Sequence, residues 1–108
     1  MPKGYLGVFE QMVLLAILRQ GDNAFGLEVR REIEASASRN VSRSAFYTTL
    51  DRLEKKGFVE WTPMVSESPR RTAPIRLFKV TRVGLDALKE SRGVLEAAWR
   101  GMDEAVGG

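Results

Sequence analysis

The stretch "SAFYTTLDRLEKKGFVEW", residues 44–61, decides the fold. Phe46, Leu50 and Leu53 recur at spacings of four and three, the signature of one buried helical face. The pattern stops at Gly57 and gives way to a β-like run, Phe58 to Trp61. Glycine adopts the left-handed turn that ends a helix, and Lys55 and Lys56 in the last turn complement the negative end of its dipole. Upstream, Ser42 stands at the N-cap position, where its hydroxyl can accept from a backbone N–H of the next turn. The spacing therefore predicts a helix over 43–56. At about 100° per residue, Ser44, Thr48, Asp51 and Lys55 lie opposite Phe46, with Tyr47 and Arg52 on the flanks.

Two further helices precede this one. The first is expected from Leu6 to Arg19, stopping at Gly21, with Phe9, Val13, Ala16 and Ile17 in one apolar stripe. Leu14, Leu15 and Leu18 form a second stripe, and a helix apolar on most of its circumference is covered on most sides. In so small a domain that implies contact both with the chain's own core and with another subunit. The second helix is expected from Ala24 to Ala37 on the stripe Phe25, Val29 and Ile33. Two short strands follow, near 58–62 and 75–80. The intervening "PMVSESPRRTAP" holds three prolines and an arginine pair, and its length makes it a projecting hairpin loop. Three helices and then a two-stranded hairpin make a winged helix-turn-helix, a mainly α (α+β) domain over residues 1–80.

Residues 81–108 form a last element, a helix capped by Thr81 and expected to run to Val106. Its apolar positions Leu85, Leu88, Leu95, Trp99, Met102 and Val106, with Arg92 completing the series, alternate steps of three and four. That is the 3.5-residue period of a coiled-coil seam. The seam and the stripe Leu14, Leu15 and Leu18 together form the expected dimer interface.

Composition narrows the function. The 108 residues contain no cysteine and no histidine, which removes thiolate and imidazole metal ligands and the commonest general base. Neither an enzyme nor a metal or cofactor site is expected. The run Met12–Leu18 is too short to span a bilayer and lacks the flanks of a signal peptide, so a cytoplasmic protein with no membrane partner is expected. Net charge is only +3, yet residues 39–82 carry ten basic and four acidic side chains, a local net of +6. Such concentration points to a polyanion.

Double-stranded DNA fits that charge. In helix-turn-helix proteins the N-terminal part of the second motif helix enters the major groove. Arg43, Ser44, Tyr47 and Thr48 occupy that part, with Arg52 beside them. Arginine reaches guanine O6 and N7 together, and hydroxyls reach bases or phosphates. In the wing, Arg70 and Arg71 are candidates for the minor groove, and Arg76 for a phosphate. A winged-helix adaptor using its basic face on an acidic protein is the alternative. The hydroxyl-rich start of the third helix favours DNA, since an adaptor groove should be more apolar.

"LGVFEQMVLLAILRQGDNAFGLEVRREIE", followed by "VSRSAFYTTLDRLEKKGFVEW", resembles the PadR family of bacterial transcriptional regulators. The resemblance covers Leu6 to about Gly84, and the C-terminal region looks like the subfamily with a single dimerisation helix. It implies a homodimeric repressor whose recognition helices enter the two halves of a palindromic operator, with Tyr47 and Thr48 matching a DNA-facing pair. It also implies small aromatic effectors, for which Trp99 is the candidate contact. The sequence departs from the family pattern at Ser44-Ala45-Phe46, at Ser68-Pro69-Arg70-Arg71 in place of a glycine pair, and at Leu77-Phe78 in place of two tyrosines.

Overall fold

The computed structural model of the chain describes residues 6–37, 40–64 and 75–107. In order these form α1 (Val8–Gln20), a 3₁₀ turn (Gly21–Asn23), α2 (Gly26–Ala37), α3 (Arg43–Lys55), β1 (Val59–Met64), β2 (Ile75–Val80) and α4 (Arg82–Trp99). The strands pair antiparallel, from Val59 opposite Val80 to Met64 opposite Ile75. The core is built from Val13, Leu14, Ile17, Val29, Ile33, Phe46, Leu50 and Leu53, closed at the sheet by Val59, Phe78 and Val80.

The helix α3 forms as its residues dictate. Ser42 Oγ accepts the Ala45 N–H at 3.3 Å, and Gly57 takes a φ of +80° just beyond the helix. Elsewhere the boundaries move. Leu6 lies ahead of α1, buried, with its N–H donating to Ser91 Oγ of α4 at 3.0 Å. The Glu10 carboxylate accepts the Gly7 N–H at 2.9 Å, satisfying one of the unpaired donors at the helix start. The helix α1 crosses the middle of the domain and touches α2, α3, β2 and α4. A wider arc is therefore covered than one stripe, and Leu14 is fully buried in the chain's own core. This corrects its assignment to the dimer interface, since it has no surface left to offer a partner.

The helix α2 starts at Gly26, two residues later than expected. The Ala24 carbonyl accepts the Phe78 N–H at 2.9 Å, and Phe25 forms an isolated antiparallel bridge with Leu77. The wing strand has recruited this backbone before the helix can. At the other end, β1 runs on to Met64, taking in Pro63 opposite Arg76. Arg70 and Arg71 lie outside the described residues.

Thr81 caps α4: its Oγ1 accepts the Gly84 N–H at 3.0 Å and donates to the Gly57 carbonyl at 2.6 Å. The helix stops at Trp99, short of the expected Val106. Arg100 leaves helical geometry at ψ 121°, and Gly101 follows at φ +78°. Met102 therefore lies outside any regular element and Val106 in a turn, and the apolar seam is helical only from Leu85 to Trp99. Among the described residues no helix is long and apolar enough to cross a membrane.

Candidate nucleic-acid interface

Phe46, Thr49, Leu50 and Leu53 anchor α3 in the core. Thr49 donates its hydroxyl to the Ala45 carbonyl at 2.8 Å, so it is satisfied within the helix. Arg43, Ser44, Thr48 and Arg52 are all exposed, Ser44 and Thr48 on the opposite face with Asp51 and Lys55, and Arg52 on its flank. Ser44 and Thr48 are one turn apart and share a face. Of the expected site, Ser44 and Thr48 share that face, while Arg43 and Arg52 lie on opposite sides of the helix.

Tyr47 is placed differently. It is half-buried, its ring edge-on to Phe46 with centroids 5.1 Å apart. Its hydroxyl lies against the first residue of α2, so close that a Cβ added at Gly26 would meet it at 2.7 Å. Tyr47 is thus a wedge between α3 and α2, and Thr48 is the freer of the pair. The remaining face of the Tyr47 ring meets the wing. The guanidinium carbon of Arg76 lies 5.9 Å from the Tyr47 ring centre, 5.4 Å from that of Trp61 and 5.3 Å from that of Phe78.

Sequence reasoning missed one further contact. The Lys56 ammonium, read as a complement to the helix dipole, reaches Glu10 Oε2 at 3.0 Å and ties the end of α3 to the first turn of α1. Burial alone would raise the Glu10 pKa, but the Gly7 N–H, the Lys56 ammonium and the Arg52 charge together hold it below the usual value. The partners are 46 residues apart, and no local spacing announces them. A groove of about 640 Å³ lies between α1 and α4, walled by Leu15, Leu18, Leu85, Leu88, Leu95 and Trp99, all of them residues expected at a dimer interface. Arg92 lies along its rim, paired with Glu96 of its own helix at 3.3 Å. Among the described residues no group of acidic side chains is arranged to hold a metal ion.

A capped helix carrying a polar, basic outer face beside a two-stranded basic hairpin defines a winged helix-turn-helix of the DNA-binding kind. The family model of the PadR-like transcriptional regulators matches residues 14–90, and the chain belongs to that family of regulators, which are not enzymes. A PadR-like regulator from Bacillus cereus superposes with a TM-score of 0.74 at 22% identity, covering 94% of each chain. One from Clostridium difficile gives 0.69 at 18% identity over 92% of this chain and 99% of that one. RosR of H. salinarum gives 0.66 at 23% identity over 89% and 79%. These likenesses are of fold. No curated protein matches the chain by sequence.

Proposed function

We propose that this DNA-binding regulator acts as a homodimeric repressor on a palindromic operator, with α3 in the major groove and the wing alongside it. The observation that carries the reading is the outer surface of α3, where Arg43, Ser44, Thr48 and Arg52 stand exposed around a fully buried Phe46. Arginine on guanine and hydroxyls on bases or phosphates are the contacts such a face can make. Arg70 and Arg71, between the two strands in sequence, would add two charges to the interface.

The groove supports the dimeric part of this reading. Leu15, Leu95 and Trp99 are 48%, 52% and 47% exposed, and a second copy of the same surface would cover them. A twofold arrangement would also set the spacing between the two copies of α3. A small planar aromatic effector would enter the same groove against Trp99 and change that spacing.

Sedimentation at micromolar concentration, paired with gel-shift titration on duplex fragments selected from genomic DNA, tests the reading. The expected result is a dimer that binds a symmetric site, and Leu95→Asp should give a monomer with weak binding. A monomer of 12.1 kDa that binds with full affinity would refute the dimeric reading.

A further inference from the structure

Arg76 lies on the face of β2 that carries Phe78, and the register places Phe78 opposite Trp61, so both rings are its neighbours within the wing. The third ring, Tyr47, belongs to α3. Aromatic groups from three elements, α3, β1 and β2, converge on one guanidinium. Among the described residues no carboxylate forms an ion pair with it. Ring faces attract a cation electrostatically, and a planar guanidinium can serve several at once. Tyr47 is itself confined by Phe46 on one side and by Gly26 at its hydroxyl.

We propose that Arg76 is a positioning residue. It stacks the wing onto the recognition helix and fixes the angle between them, so that the Ser44–Thr48 face and the hairpin meet the duplex as one rigid body. The inference rests on the DNA-binding reading above. It separates from the simpler role, a phosphate contact, through the chemistry of the side chain. A phosphate contact needs charge, which lysine supplies. A stack needs the flat, weakly hydrated guanidinium, which lysine lacks. Trp61 offers a second handle: at 38% exposure its loss should be tolerated by the fold, and it leaves the Arg76 charge in place.

The experiment compares the full chain with Arg76→Lys, Arg76→Gln and Trp61→Leu, measuring affinity for the selected duplex over a range of salt. The expected result is a loss of about tenfold in each variant, the size of a broken cation–π cluster, with the salt slope of the wild type. Wild-type affinity in Arg76→Lys or Trp61→Leu would overturn the proposal. So would a slope lowered by about one in Arg76→Gln alone, which is the mark of a neutralised phosphate. A second measurement needs no DNA. Ring currents should displace the Arg76 side-chain proton resonances upfield in the free protein, and the displacement should shrink in Trp61→Leu. Unshifted Arg76 resonances would overturn the stack, whereas a stacked wild type that binds no duplex would refute the DNA-binding reading.

Discussion

Two glycines in one helix should respond in opposite directions to the same substitution. Gly84 is buried in the first turn of α4, where an added Cβ would overlap the Phe58 carbonyl oxygen and lie 2.8 Å from Val80 Cγ1. The carbonyl cannot swing aside cheaply, because it accepts the Thr81 N–H at 3.0 Å. Alanine in a helix gains about 0.5–1 kcal/mol over glycine. Overpacking against backbone costs about 3 kcal/mol, the upper end for inserted methylenes. Gly84→Ala should therefore lose about 2 kcal/mol and melt roughly 10 °C lower. Gly93 is exposed with nothing within 4 Å of its virtual Cβ, so Gly93→Ala should keep the propensity gain and melt a few degrees higher. Melting curves at one protein concentration read both, since subunit association would shift them. A Gly84→Ala protein that melts at or above the wild type would refute the described seating of α4 on the wing. A Gly93→Ala protein that melts below it would mean that another surface covers this part of the helix.

Thr48→Ala should cost operator affinity by about 1–3 kcal/mol if the hydroxyl reads a base, with melting unchanged, as titration and calorimetry would show. Arg70→Ala with Arg71→Ala should lower the salt slope of binding by about two, measured from 50 to 200 mM salt. The depressed Glu10 pKa makes the Glu10–Lys56 pair stabilising above the unfolded carboxyl value of 4.5, and that contribution is lost as pH falls through the lower folded value. Wild type should thus out-melt Glu10→Gln near neutrality, by an amount worth up to about 1 kcal/mol, and the gap should close on acidification.

What was legible in the sequence was what neighbouring residues decide. Ser42, the 46–50–53 spacing and Gly57 mark α3 to within a residue, because cap, stripe and stop lie within 16 positions of one another. The start of α2 was hidden because Ala24 and Phe25 answer to Phe78 and Leu77, half the chain away. Leu14 followed the same logic: its burial is set by how many elements α1 touches. The overlong reading of α4 has a different cause. The apolar series continues past Trp99, but Gly101 ends the helix, and a stop signal should have outweighed the periodicity. The cluster at Arg76 draws on positions 47, 61 and 78, which only the closed hairpin and its docking on α3 bring together.

Pro63 has a consequence for how copies of this chain can join. An open strand edge is a template, and a short hairpin projecting from a small domain is where edge-to-edge growth of sheets begins. One side of β2 is taken at Leu77 and Phe78 by the backbone of Phe25 and Ala24. The outer side of β1 carries exposed Glu60 and a proline that has no N–H to donate. An incoming strand would face a charge and a missing rung. Edge-to-edge pairing of two wings is thereby disfavoured on both sides of the hairpin, and the proposed dimer would have to form elsewhere on the domain.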